Sequence, residues 1–223
     1  MDLDWLSART ELFHGLSAAQ IEYALSFFRF QRRSYQRGEC FVRVGDRLSS
    51  FGLVLSGIVQ VSMTDLNGNR MIMANISAGD TFGESLSFLG VTASPIHASA
   101  EADCEILWLS TENLRRIPTS ETDHLLSQRF VAMLATRTLN MNDRIQILSK
   151  KTLRGKLITF FSQQIKRRGS TAFEISMDRG AMADYLGTDR SALSRELSAM
   201  RDDGLLNFRK NHFELLHAHA FED

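Results

Sequence analysis

Arg190, Ser191, Ser194 and Arg195 fall within six positions of one another, a combination of residue types suited to reading an acidic polymer. On a helix Ser191 and Arg195 share one face, as do Arg190 and Ser194, because residues four apart are neighbours. An arginine fork presents two parallel donors that match the edge of a guanine, and a hydroxyl serves either a base or a phosphate. Further on, Arg209 and Lys210 are two adjacent cations suited to phosphate oxygens. The expectation is that these six residues, with Thr188, contact double-stranded DNA.

Such side chains read bases only if a rigid element carries them into a groove. Around them the sequence has the offsets of a helix-turn-helix: a small residue, Ala183, where two helices must approach; Gly187 four positions on, free to take a left-handed turn; and Leu193, an aliphatic that locks the second helix onto the first. Asp178 and Thr188 are expected to cap the two helices. Leu193, Leu197 and Met200 give the second helix an apolar face opposite the arginines. Leu205 to Phe208 and Phe213 to Leu216 read as strands, with Arg209 to His212 as the turn between them. That hairpin is a wing. Basic residues also collect in this segment: residues 150–223 hold thirteen Lys and Arg against ten Asp and Glu, leaving thirteen against sixteen elsewhere, although the whole chain is neutral.

Upstream the texture changes twice. From Arg32 to about Leu109, short apolar runs are broken by glycine turns, and Val59, Val61 and Met63 alternate with Gln60 and Ser62. Asn67 and Gly68 predict a hairpin turn. An all-β roll or barrel fits. From about Glu121 to Lys150 there is no Gly or Pro, and Val131, Leu134, Thr138, Met141, Ile145 and Leu148 recur at alternating steps of three and four. That narrow stripe suits a seam between two copies of one helix, the more so because Arg137, Asn140, Asp143 and Arg144 make another face too polar to bury. The predicted fold is α+β: helices and a β-roll sensor domain over 1–118, a dimerisation helix over 119–150, and a winged helix-turn-helix over 151–223.

Composition removes other classes. Hydrophobic residues are 43% and charged residues 23% of 223, which is ordinary for a globular chain with a real core. No apolar run approaches the roughly 20 residues of a membrane span. The start, Met1 to Trp5, is acidic and lacks the basic and apolar stretches of a secretion signal, so a cytoplasmic location and no membrane partner are expected. Cys40 and Cys104 are too few for a disulfide framework or a cysteine-only metal site. No metal site is expected.

The order and spacing of several motifs resemble the Crp–Fnr superfamily of bacterial transcription regulators. Leu12 to Ser17 looks like its N-terminal entry, and Gly38-Glu39, Gly45-Asp46, Gly57, Gly79-Asp80 and Phe82-Gly83-Glu84 resemble its β-roll turns. Tyr185 to Gly187, Arg190, and Ser194 with Arg195 resemble its helix-turn-helix. The resemblance implies a homodimer that binds near-palindromic DNA, works with RNA polymerase, has no enzymatic role, and responds to a small effector held near Gly83, Glu84, Ser94, His97, Met141 and Asn142. The effector's identity is unknown. Cyclic-AMP-binding members place an Arg-Ser pair about ten residues after Gly-Glu; here that place holds Ser94 and Pro95, and no arginine lies between Arg70 and Arg115. A cyclic phosphate would lack a local charged partner, which speaks against cyclic AMP. Met141 and Asn142 stand where those members use hydroxyls. No cysteine precedes Cys40, which speaks against the iron–sulfur members, and His97 alone keeps haem open as a minor alternative. His217 and His219 read as tail residues. Ser191 replaces a frequent glutamate, so base preference should differ at that step. Two other classes compete: a cyclic-nucleotide-type module acting on a protein partner, and a cupin-type β-barrel enzyme. The second needs clustered ligands that the roll does not offer.

Overall fold

The computed structural model describes residues 1–64, 70–217 and 221, so the Asn67-Gly68 turn and His219 lie outside the described residues. The chain divides into two compact units, Met1–Ala135 and Thr136–Asp223.

The first unit opens with helices α1 (Leu3–Arg9) and α2 (Ala18–Phe27), the latter started by a reciprocal capping box between Ser17 and Gln20. Strands follow: β1 (Gln31–Tyr35), β2 (Cys40–Val42), β3 (Ser50–Ser56), β4 (Ile58–Thr64), β5 (Arg70–Ser77), β6 (Thr81–Phe82), β7 (Ile96–Ala100) and β8 (Cys104–Ser110). Helix α3 (Glu84–Leu89) sits between β6 and β7. The strands form two antiparallel four-stranded sheets, ordered β1-β8-β3-β6 and β2-β7-β4-β5, which is the expected β-roll. In the second sheet β5 is an outer strand, and its Met71, Ile72 and Met73 are all exposed.

The roll interior is filled. Val42, Val54, Val59, Val61, Ala98 and Ile106 are buried there with Phe82. Phe41 lies 6.1 Å from Phe82 and 6.0 Å from Trp108, ring centre to ring centre, and Phe82 stands edge-on to Trp108 at 5.5 Å. Gly52 makes this possible: a Cβ there would stand 2.3 Å from the Phe82 ring. A second core joins α1 and α2 to Phe51, Leu53, Leu107 and Leu109.

Helix α4 (Glu121–Ser149) is 29 residues long. In the first unit its Leu126, Phe130 and Met133 enter the core beside α1 and α2, while Val131 is exposed and Leu134 is half-buried against that same core. In the second unit Ile147 joins the core of the helix-turn-helix, while Thr138, Met141, Ile145 and Leu148 are exposed.

The second unit continues with α5 (Leu153–Arg168), β9 (Ala172–Glu174), α6 (Arg179–Leu186), α7 (Arg190–Asp202), β10 (Leu206–Arg209) and β11 (His212–Leu215). The polar face of α4 is not simply solvated, as its composition suggested. Arg167 of α5 pairs with Asp143 and donates to Asn140 at 2.9 Å, and Arg144 lies 5.5 Å over the Tyr185 ring. Long polar side chains can cover such a face while keeping every charge partnered.

Candidate nucleic-acid interface

Helix α6 ends in Gly187, which has φ 61°, and the backbone N–H of Thr188 closes the turn onto Ala183 at 3.0 Å. The Thr188 backbone N–H is therefore spent on the end of α6. Asp189 is extended, and its carboxylate accepts from Ala192 N at 2.8 Å and caps α7. Asp178 caps α6 as expected, but at α7 the cap is Asp189 and not Thr188. Ala183 and Leu193 are buried between the two helices, and Leu197 and Met200 continue the apolar face of α7.

The opposite face of α7 is open. Arg190, Ser191, Ser194 and Arg195 are all exposed. Ser191 donates to Asp189 at 2.6 Å, which holds that carboxylate below its ordinary range, and Ser194 donates to the Arg190 carbonyl at 2.9 Å. Each hydroxyl keeps acceptor capacity for a partner. No carboxylate among the described residues forms an ion pair with Arg190 or Arg195. The next turn differs: Glu196 is taken by Arg154, which also binds Asp203 at 2.7 Å, so α7 is anchored to α5 behind the exposed patch.

The wing is a sheet of order β10-β11-β9. Arg209 pairs with His212, so Arg209 ends a strand and the turn shrinks to Lys210 and Asn211. The sequence put both residues in the turn and missed β9. Lys210 takes φ 53°, an uncommon conformation for a residue with a Cβ. Arg179, the first residue of α6, holds it there. Its Nη2 donates to the Lys210 carbonyl at 2.9 Å, and its guanidinium lies over Phe208 at 5.2 Å and Phe213 at 5.0 Å. Burial lowers the pKa of that guanidinium. Nothing local in the sequence marks Arg179, because its aromatic partners lie about thirty residues downstream.

Within the first unit, the residues expected to surround an effector have separate surroundings. Gly83 has φ 79° and starts α3; Glu84 is 4% exposed and accepts a hydrogen bond from Thr81. Ser94 is buried in a turn, donating to the Ile96 carbonyl and accepting from Ile96 N. His97 stands on the other face of β7 from the buried Ala98 and Ala100, with Nε2 3.3 Å from the Thr64 hydroxyl. It faces a groove shared with Arg37, Cys40 and Gln60. Strand alternation separates it from the roll interior. Met141 and Asn142 belong to the second unit and are exposed.

Residues 32–120 match the cyclic nucleotide-binding domain family and residues 155–223 the Crp-like helix-turn-helix domain family. The chain belongs to the Crp–Fnr family. It is 29% identical over 216 residues to the cyclic AMP receptor protein of Thermus thermophilus, covering 95% of each chain. To electron transport regulator A of Shewanella oneidensis it is 26% identical over 200 residues, covering 85% of this chain and 76% of the relative. The crystal structure of the Thermus thermophilus catabolite activator protein superposes with a TM-score of 0.52, covering 95% of this chain and 96% of that one at 29% identity. Like those relatives, this Crp–Fnr member is a DNA-binding regulator with a cyclic-nucleotide-type domain, and no described helix is long and apolar enough to cross a membrane.

Proposed function

We propose that this Crp–Fnr protein acts in the cytoplasm as a homodimer on near-palindromic DNA, controlled by a small effector other than cyclic AMP and signalling to RNA polymerase. Its working parts are a sensor over 1–118, the helix over 119–150 and the DNA reader over 151–223. One observation carries the reading of DNA: α7 buries Leu193, Leu197 and Met200 and leaves Arg190 and Arg195 exposed at its N-terminal end, with no ion pair to a carboxylate among the described residues. A helix so mounted enters a major groove with its first two turns against base edges, and two of them from one dimer meet half-sites roughly 34 Å apart. Ser191 and Ser194 add hydroxyl contacts; Thr188, Arg209 and Lys210 serve phosphates.

The effector argument is chemical. Glu84 stands where the family resemblance puts a nucleotide-binding acid, but it is buried and bonded to Thr81, Ser94 fills the arginine's place, and the interior holds Phe41, Phe82 and Trp108. The arginine that serves the cyclic phosphate in the cyclic-AMP-binding members is missing from its place in the sequence.

Selection from random duplexes followed by footprinting tests the DNA reading. A two-fold-symmetric site is expected, and replacing both Arg190 and Arg195 with Ala should cost about 1–3 kcal/mol per lost guanine contact while the protein stays folded. Loss of binding to a protein partner with no DNA bound by the parent chain would instead favour a module acting on proteins.

A further inference from the structure

The core face of β1 carries two polar residues for which packing gives no reason. Gln31, Arg33 and Tyr35 stand directly opposite Trp108, Ile106 and Cys104 of β8, so they share the face whose other members are buried in the roll. On the outer face Arg32 forms a two-point ion pair with Glu105. The inward Arg33 donates to the neutral Gln31 amide oxygen at 2.9 Å. It sits at the end of the roll, in an open groove of about 390 Å³ that Arg47 enters from the loop after Gly45. Among the described residues neither arginine forms an ion pair. The one acid in the groove, Asp46, accepts from Arg43 N at 2.7 Å.

The floor is aromatic and fixed. Tyr35 and Phe41 lie 4.3 Å apart with their planes tilted 32°, and Trp108 stands edge-on to Phe41. The Trp108 indole N–H donates to the Tyr35 hydroxyl at 3.1 Å, which settles the orientation of both rings. Two guanidinium groups and three aromatic side chains lining one groove match a flat molecule that bears a carboxylate: the arginines would take its oxygens and the aromatic residues its ring. The volume suits one or two fused rings.

We infer that this groove is the effector site and that its ligand is a planar aromatic carboxylate. The inference rests on the reading of the chain as a ligand-controlled regulator. The arginine that the sequence lacks at Ser94 is, in effect, replaced from the neighbouring loop: Ser94 N donates to the Asp46 carbonyl at 2.8 Å, and Arg47, the next residue, lines the groove with Arg33.

Calorimetry on the full chain, with benzoate and 1-naphthoate as probes, tests it. Benzamide and cyclohexanecarboxylate serve as the uncharged and non-planar controls. The acids should bind saturably, the controls should not, and in a Trp5→Phe background 1-naphthoate should quench the remaining tryptophan, Trp108. Arg33→Gln and Arg47→Gln should each weaken binding by about tenfold, the loss expected for one charged hydrogen bond. Both positions are exposed, so their melting temperatures should stay near the parent's. Absence of saturable binding up to about 10 mM, or affinity in the double variant within about twofold of the parent, overturns the site. Saturating 1-naphthoate should also change operator affinity in the parent and not in the double variant; binding with no such change overturns the effector assignment. A chain that never binds DNA, with or without probe, defeats the functional reading, while the calorimetry still decides the groove.

Discussion

Arg179 shows how a single side chain can shape an interface without belonging to its reading face. It ties the Lys210 carbonyl to α6 and spreads its fork over Phe208 and Phe213, so the wing tip is held although Lys210 sits at positive φ. Lysine cannot reproduce a planar fork lying on two rings. Arg179→Lys should therefore weaken operator binding by about tenfold and lower the slope of log affinity against log salt by about one, as a phosphate contact is lost. Its melting temperature should shift only a few degrees. An unchanged salt slope, measured by fluorescence anisotropy, would remove the wing clamp from the account. Replacing Arg209 and Lys210 with Ala should lower the slope by about two and leave base preference unaltered. The residues of this site were unevenly legible. Ala183, Gly187 and Leu193 are visible from spacing, because a helix-turn-helix is a local object. Thr188 and Asp189 are both good caps, and only the closure of Thr188 N onto Ala183 decides between them. Arg179 gives no local signal at all.

Helix α4 is an element whose sequence holds two superposed stripes. Val131, Leu134, Thr138, Met141, Ile145 and Leu148 are the legible one, spaced at threes and fours. Leu126, Phe130 and Met133 form the other, and they serve the first unit's own core. The helix start near Glu121 was legible, but one of the groups that holds it was not: Tyr23 lies nearly a hundred residues upstream. The Tyr23 hydroxyl donates to Asp123 at 2.6 Å, and Thr119 donates to the same carboxylate through both its backbone and its hydroxyl. These donors bring the Asp123 carboxyl down to about 2, the Tyr23 hydroxyl contributing most. A carboxylate depressed on folding stabilises above its unfolded pKa, and the benefit is lost as pH falls through the folded one. Stability from this group should thus be complete above about pH 5 and vanish towards pH 2. Asp123→Asn should lower the melting temperature at pH 7 and flatten the acid limb between those limits. An acid limb identical to the parent's in thermal scans across that range would refute the assignment.

For the whole molecule, the decisive question is whether α4 joins two chains. Val131, Met141 and Ile145 are each at least 60% exposed, so charge placed there should hardly disturb an isolated chain. In a paired helix the same charge would be buried without a partner, at a cost of several kcal/mol. Val131→Asp with Ile145→Asp should sediment as a monomer, keep the circular dichroism of both units, and lose operator affinity by more than about tenfold, because one reader then meets one half-site. A double variant that still sediments as a dimer would place the seam elsewhere. The roll's twin sheets and the winged reader could be foreseen from short-range alternation and turn residues. The filling of the roll by Phe41, Phe82 and Trp108 could not, since it depends on Gly52 yielding room to a ring from another strand.

The outer strand β5 has a practical corollary. Its free edge offers backbone amides and carbonyls next to three consecutive large apolar side chains, Met71, Ile72 and Met73. Such a border can recruit strands from foreign or misfolded chains. Concentrated stocks should consequently turn cloudy on gentle warming before the cores melt, and a lysine at position 72 should keep them clear.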